Sequence, residues 1–340
     1  MASQTRKPGR RWKASVAVLL ASLASFVIGS CGPSLNGADP FAQAHAIAQG
    51  WWPKAEEAFV SGDPKSLGDL FARSALDVAT GEMTMEAISG TRPKYPRPFR
   101  GATIFAPAAG AKPGWFLAII GYARVDQDGR AQTGQANAPG MIFSDSGGTW
   151  KVTAADVQAP ITHPALGTAD STFSTPLDDG RYIMPRSAVA AAYASFLNNL
   201  SAGQQPDGPF PTGLTSFAAQ FTRLAWPPGS TATARFSFTV DTPQLASYSI
   251  TIGLTKAPEV VLFVLRRTVL LKPRQGCLVK RQGDLWSGVV PAGGYSSVEL
   301  SSVSVVAATV PFNDGDTSQG KKLVDISAGI DDVSATVYKC

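Results

Sequence analysis

The chain has 340 residues, of which 44% are hydrophobic and only 16% are charged. This length suits two ordinary domains or one large domain, and the composition favours strands and turns over long charged helices. The net charge of +5 comes from the first 30 residues, because the rest of the chain has 25 basic and 25 acidic residues. A neutral body lacks the clustered basic surface that nucleic acids require, so no nucleic-acid partner is expected.

The first predicted element is an export signal over residues 1–30. Five basic residues precede the apolar stretch Ala14–Ile28, which is shorter than the roughly 20 residues of a membrane span. The sequence Ile28-Gly29-Ser30-Cys31 resembles a bacterial lipobox, in which two small residues precede the cysteine that receives a diacylglyceryl group. Cys31 is therefore the predicted lipidation site, and it would hold the mature protein on the extracytoplasmic face of the cell membrane.

Two alternatives to this interpretation stay open, a retained signal anchor and an ordinary signal peptide followed by an unrelated cysteine. The export route is open as well. The pair Arg10-Arg11 is compatible with twin-arginine export, whereas the following Trp12-Lys13-Ala14 fits that motif poorly. Residues 31–39 are small and polar, so they predict a flexible tether between the membrane and the fold.

Residues 40–160 predict an N-terminal α+β domain. Asp39-Pro40 is a suitable start for a helix over 41–60, and Pro53 is expected to kink or divide that helix. A second helix is predicted over 65–78. Four strands are predicted to follow, at Ala102–Phe105, Trp115–Val125, Gly140–Ser144 and Thr149–Val157.

Residues 161–186, rich in Pro, Thr, Asp and Gly, predict a linker, and residues 187–340 predict a C-terminal α+β domain. Its expected helices are Ser187–Leu200 and Ser216–Leu224. Its expected strands are Thr233–Val240, Tyr248–Leu254, Val260–Leu271, Val298–Val310 and Leu323–Val337. Helices precede strands in both halves, which indicates two similar domains, each with helices packed on a curved antiparallel sheet.

Three stretches carry a resemblance to a known family: Ala42–Gly81, the region from Tyr95 to Ala118, and Glu259–Leu265. They resemble a family of actinobacterial lipoproteins that contain a domain of unknown function. This resemblance implies secretion and lipidation and assigns no activity. Each half also resembles a cystatin-like cone, the fold of nuclear-transport-factor-2-like proteins, which is an expectation about fold and not about function.

Catalytic and metal-binding motifs are missing from the sequence. The two histidines, His45 and His163, are too few for a histidine-rich zinc site, and no nucleophile elbow, P-loop or dinucleotide-binding motif is present. Asp126, Asp128 and Asp145 could be considered as calcium ligands, but the later glutamate of a calcium loop is missing. Hairpin turns are the favoured interpretation of these aspartates, and no metal or other cofactor is predicted.

Cys277 and Cys340 remain once Cys31 is assigned to lipid. An even pair in an oxidising compartment permits a disulfide, which would stabilise the fold by about 2–4 kcal/mol. The alternative, in which Cys340 stays a free thiol at a frayed end, is also open. The neighbouring Trp51 and Trp52 cannot share one helical face, so one of them is expected to face outward or into a domain interface.

The leading functional hypothesis is a non-enzymatic binding or scaffolding lipoprotein of the cell envelope, with an envelope protein, a polysaccharide or a lipid as partner. The alternative is an envelope enzyme of the isomerase or hydrolase type, which requires a buried carboxyl group with a raised pKa facing a cone-shaped pocket. A solute receptor that serves a transporter is disfavoured, because the alternating βαβ pattern of such receptors is missing.

The variant Cys31→Ala tests the predicted anchor. Without its thiol the chain cannot be acylated, so we expect the variant to move from the membrane fraction to the soluble fraction, as measured by detergent partitioning of fractionated cells. A variant that still partitions with membranes would contradict the predicted lipidation.

Overall fold

The computed structural model describes residues 39–107, 114–134, 136–137, 140–157, 171–173, 179–212, 217–222, 232–249, 258–280, 288–315, 323–328 and 331–340. These residues belong to one unit, Gly32–Cys340, and form an α+β fold with two sheets and few helices. Cys31 and the export signal lie outside the described residues, as does His163. The boundaries of the linker at residues 161 and 186 stay predictions.

Helix α1 spans Pro40–Ser61 and begins as the sequence predicts. The Asp39 carboxylate accepts hydrogen bonds from the backbone N–H groups of Phe41 at 2.9 Å and Ala42 at 3.2 Å, which caps the helix. The helix ends at Gly62, whose φ of 67° lies in the left-handed region that glycine adopts without strain.

The predicted division of the helix at Pro53 is wrong, because α1 continues through it, and the alternative of a kink stays a prediction. Pro53 is exposed, whereas Trp51 and Trp52 are 5% and 3% exposed. Burial of the two large rings outweighs the loss of one backbone hydrogen bond at the proline. The expectation that one of these tryptophans faces outward is wrong, since both side chains are buried.

The second predicted helix is two helices, α2 over Pro64–Leu70 and α3 over Arg73–Ser89. Phe71 and Ala72 between them are extended, and the N–H of Ala72 donates to the carbonyl of Val152 at 2.8 Å. This tertiary hydrogen bond replaces a helical one, so the helix is divided here although no proline or glycine marks the position.

The first sheet contains six strands in the order β5-β4-β2-β1-β6, with β3 paired to β2. Its pairs are antiparallel except for β1 with β6. The strands are β1 Phe99–Pro107, β2 Trp115–Tyr122, β3 Ala136–Asn137, β4 Gly140–Ser146, β5 Thr149–Val157 and β6 Ser171–Phe173. The four predicted strands of this half are confirmed, and β6 adds a short strand from the predicted linker.

The second half contains a 3₁₀ turn, two helices and a second six-stranded sheet, in which β11-β10-β8-β7 are adjacent and β12 and β9 pair with β10. Its helices are α4 Arg186–Ser201 and α5 Phe217–Phe221. Its strands are β7 Ala232–Ser249, β8 Glu259–Pro273, β9 Leu278–Lys280, β10 Gly293–Val310, β11 Asp325–Ala328 and β12 Asp331–Lys339. The single strand predicted over 323–337 is therefore two strands, both paired with β10.

The elements stack in four layers, because side chains alternate between the two faces of each strand. In the first sheet Phe116 packs against α1–α3, whereas its neighbour Leu117 packs against the second sheet. In the second sheet Val260 faces the first sheet, whereas Val261 packs with α4. The order of layers is therefore helices, sheet, sheet, helices, and a cluster of buried apolar side chains lies between each pair of layers.

Helix α3 also packs against β12, so it contacts both sheets. A Cβ atom added at Gly81 would lie 2.7 Å from Cα and 2.9 Å from the carbonyl oxygen of Val333. Contacts this short involve backbone atoms that cannot rotate away. The glycine is therefore required for the close approach of α3 to the second sheet.

The variant Gly81→Ala should lower the free energy of unfolding by about 1–3 kcal/mol, because α3 or β12 must move to admit the methyl group. Chemical denaturation measures this change. Gly50→Ala is the matched control: it is also inside a helix, and nothing lies within 4 Å of its added Cβ. We expect this control to be stabilised by about 0.5–1 kcal/mol, and equal effects of the two substitutions would contradict the proposed contact.

Candidate functional site

A cavity of about 630 Å³ lies where α1 and α3 meet the first sheet and the nearest part of the second sheet. Its apolar wall includes Trp51, Trp52, Phe59, Val78, Met85 and Tyr122. Five carboxyl groups and two guanidinium groups also line it, namely Glu56, Glu82, Asp156, Asp331, Asp332, Arg97 and Arg267. A large apolar cavity with a few convergent polar groups has the features of a small-molecule site.

Glu56 and Arg97 form a bidentate ion pair at one side of the cavity. The Arg97 guanidinium donates from Nε to Oε2 of Glu56 at 2.8 Å and from Nη2 to Oε1 at 2.6 Å. The backbone N–H of Arg97 donates to the same carboxylate at 2.7 Å. Because the side chain of Glu56 is only 3% exposed, this pairing supplies the charge compensation that a buried carboxylate requires.

The aromatic rings near this ion pair are already engaged with each other. Trp52 and Tyr122 are stacked, with ring centroids 5.4 Å apart and an interplanar angle of 19°. The guanidinium carbon of Arg97 lies 5.5 Å from the Trp52 centroid and 4.8 Å from the Tyr122 centroid. Trp52 Nε1 also donates to the carbonyl of Arg97 at 2.7 Å. These contacts hold the proline-rich segment before β1 against α1.

Two carboxyl groups that face the cavity have raised pKa values. Glu82 is an exposed residue at the edge of the cavity, and the protein atoms packed around its carboxyl group raise its pKa by partial desolvation. Burial, followed by the nearby charges of Asp156, Glu82 and Asp332, raises the pKa of Asp331 to about 7. Negative charge is therefore concentrated where α3, β5 and β12 approach one another.

Two neighbouring groups extend this acidic region. Asp156 has a φ of 55°, a left-handed conformation that is uncommon outside glycine and that directs its backbone away from regular strand geometry. Glu86 lies one helical turn beyond Glu82 on α3, outside the lining of the cavity. Burial and the charge of Glu82 raise the pKa of Glu86 to about 7.

Arg267 is the buried cation on the second sheet. Its residue surface is 7% exposed, and its Nη2 donates to Oγ of Ser302 at 3.0 Å and to Oδ1 of Asp332 at 3.5 Å. Its Nε is buried and has no hydrogen-bond partner among the residues that the structure describes. Burial lowers the pKa of this guanidinium, an effect that the charge of Asp332 opposes.

The two cysteines of the predicted disulfide lie apart from this cavity. Cys277 and Cys340 are joined by a disulfide, with the two Cα atoms 6.2 Å apart, and Cys31 is outside the described residues. Among the described ranges, no helix has both the length and the hydrophobicity of a membrane span.

The predicted turn roles of the aspartates are confirmed. Oδ1 of Asp126 accepts hydrogen bonds from the N–H groups of Asp128 and Arg130, and Oδ1 of Asp145 accepts one from Gly148. His45 lies on α1 and is not part of the cavity lining. Within the described part of the chain, no group of three or more His, Cys, Asp or Glu side chains is arranged to hold a metal ion.

Sequence reasoning missed Glu82, Arg267 and Asp331 as site residues. One signal was present, because Arg266-Arg267 interrupts the apolar run Val260–Leu271, and charge inside a buried strand requires a partner. Glu82 and Asp331 show no such signal, since a single acid on a helix or at a strand end is ordinary surface composition.

Comparison of the chain with protein-family models, curated proteins and solved structures returns no match. The site must therefore be interpreted from its own geometry.

The raised pKa of Asp331 predicts a pH dependence of stability. Its ordinary value is 3.8 and its folded value is about 7, so the folded state binds more protons than the unfolded state between these values. The free energy of unfolding should therefore fall as the pH rises through this window, and the penalty is fully present above it.

The variant Asp331→Asn removes this penalty. At about pH 8 we expect its free energy of unfolding to exceed that of the wild type by about 1–2 kcal/mol, after allowance for the solvent contact of a half-buried group, and at about pH 4 the two should agree. Urea denaturation across this pH range measures the difference. The control Asp325→Asn changes an exposed aspartate on β11 and should keep the wild-type dependence of stability on pH. If the stability of Asp331→Asn depends on pH as that of the wild type does, the raised pKa does not belong to Asp331.

Proposed function

We propose that this protein is an extracytoplasmic lipoprotein, anchored through Cys31, that binds a small molecule in the cavity between α1, α3 and the two sheets. The observation that carries the proposal is the cavity itself. A volume of about 630 Å³ lies in the range that accommodates small-molecule ligands. The apolar wall and the few charged groups provide, respectively, affinity and orientation.

The position of the cavity supports a binding role over a purely scaffolding one. A scaffold needs an outer surface, and filling its interior would make it more stable. Here the interior instead retains open space, and Glu82 and Asp331 beside it form no ion pair among the described residues. We also propose that each half is a cystatin-like cone, since α1–α3 cover one sheet and α4 and α5 cover the other.

A second candidate function is an envelope enzyme that uses a carboxyl group for acid–base chemistry. The observation that favours it is Asp331, whose pKa of about 7 suits proton transfer near neutral pH. The described lining includes no His, Cys, Ser or Lys side chain, so the carboxyl groups are the leading candidates for proton transfer there. The two candidates differ in what the cavity releases: a binding protein returns its ligand unchanged, whereas an enzyme returns a converted molecule.

The proposed binding role is tested with dansylamide, a neutral aromatic probe. We expect saturable binding, detected as energy transfer to the dansyl group from Trp51 and Trp52, which line the cavity. The variant Ala155→Leu places three additional carbon atoms at the cavity wall and should weaken binding at least about tenfold, because the leucine occupies the space of the probe.

The control for this experiment is Ala87→Leu, an exposed position on α3 that does not line the cavity. This control should bind the probe as the wild type does. If the wild type does not bind dansylamide saturably, or if Ala155→Leu binds it with unchanged affinity, the cavity is not the binding site.

A further inference from the structure

The outer edge of β7 presents backbone groups that the sheet itself does not use. Strand β7 lies at one end of the strand order of the second sheet, and it pairs with β8 alone among the described strands. In an antiparallel pair, alternate residues direct both their N–H and C=O groups toward the partner strand or away from it. Half of the backbone groups of β7 therefore point away from β8.

The side chain of Asn198 on α4 identifies which residues these are. Its Nδ2 donates to the carbonyl of Phe238 at 2.8 Å, and its Oδ1 accepts from the N–H of Phe238 at 2.9 Å. Both backbone groups of Phe238 thus point away from β8, and the amide of Asn198 takes the place of a neighbouring strand. Because the register between β7 and β8 is regular over 232–240, the backbone groups of Ala234 and Phe236 point the same way.

The edge of β7 is unprotected before Phe238. Within the part of the chain that the structure describes, no hydrogen bond is made to the outward N–H and C=O groups of Ala234 and Phe236. A row of alternating backbone donors and acceptors is a template for another strand, and proteins usually cover or interrupt such a row. The chemistry of this edge therefore fits an added β-strand.

The sequence of this stretch is complementary to itself. Over 232–237 it reads Ala-Thr-Ala-Arg-Phe-Ser. In a two-fold antiparallel pair centred on Ala234, Phe236 of one copy lies opposite Ala232 of the other, so a large side chain meets a small one. Arg235, the charged residue of the stretch, lies opposite Thr233 and not opposite a second arginine. Neither a steric nor a charge conflict opposes pairing with a second copy.

We propose that two copies of this protein associate through residues 232–237 of their β7 strands, so that their second sheets form one continuous sheet. The N–H and C=O groups of Ala234 in one copy pair with those of Ala234 in the other. Ala234 and Phe236 pack on the apolar side of the sheet, which the added strand extends. Asn198 ends the pairing at Phe238. Because the contact is two-fold symmetric, it closes as a dimer.

This interaction surface is separate from the proposed ligand site, since the described lining of the cavity includes no residue of β7. Failure of the dimer therefore leaves the proposed function untouched, and failure of dansylamide binding leaves the dimer untouched.

The variant Ala234→Pro tests the pairing. Proline lacks an N–H group, so each copy loses a hydrogen-bond donor at the centre of the contact, whereas the ladder with β8 is kept because the N–H of residue 234 points away from it. In the unacylated Cys31→Ala protein, sedimentation equilibrium should show a dimer, and the added substitution should raise its dissociation constant at least about tenfold. Ala234→Ser is the matched control: serine is also small and keeps the N–H group, so this variant should dimerise as its parent does.

Amide hydrogen exchange tests the same contact without a substitution in β7. The N–H groups of Ala234 and Phe236 should become protected as the protein concentration rises, whereas that of Arg235, which points toward β8, should be protected at every concentration. A chain that stays monomeric up to about 1 mM, a dimer that Ala234→Pro leaves intact, or a dimer in which the amides of Ala234 and Phe236 still exchange freely would each overturn the inference.

Discussion

The two sheets lie face to face, and the strands at the centre of this contact are buried on both sides. In β8, Val260, Leu262 and Val264 face the first sheet, whereas Val261, Phe263 and Leu265 face the helices of the second half. A strand covered in this way is apolar at nearly every position. β10 is also buried on both sides and is largely apolar, although it buries Ser302 and Ser304 as well. These two strands therefore determine where the sheets meet and, through them, where the outer helices lie.

The apolar contact ends at Arg266 and Arg267, and polar interactions begin there. Arg266 pairs with Asp77 of α3 at 2.5 Å and with Asp241 of β7 at 3.2 Å, so its charge is balanced between the two halves. Arg267 contacts Asp332, and its Nε has no hydrogen-bond partner among the described residues. The cavity therefore lies at the border between an apolar interface and an ionic one, which explains how one space contains both apolar walls and charged groups.

The electrostatics of the cavity affect the stability of the fold. Burial raises the pKa values of Glu82 and Asp331, and the nearby charges of Asp156, Glu82 and Asp332 add to the shift of Asp331. The ionised fold therefore carries a free-energy penalty. Shifted pKa values of this kind are common at functional sites. The close contact of α3 with β12 at Gly81 keeps the carboxyl groups of Glu82 and Asp331 near each other. The same backbone contact therefore joins α3 to the second sheet and shapes the acidic side of the cavity.

Local patterns along the chain are sufficient to predict the capped start of α1 at Asp39, most of the strands, the turns at Asp126 and Asp145, and the apolar run of β8. These features depend on periodicity and on hydrogen bonds within a few residues. Long-range packing is needed to explain why α1 continues through Pro53, why Phe71 separates α2 from α3, and why Glu82, Arg267 and Asp331 share one cavity. These outcomes depend on contacts between residues far apart in the chain, and a local pattern carries no information about which faces will pack together.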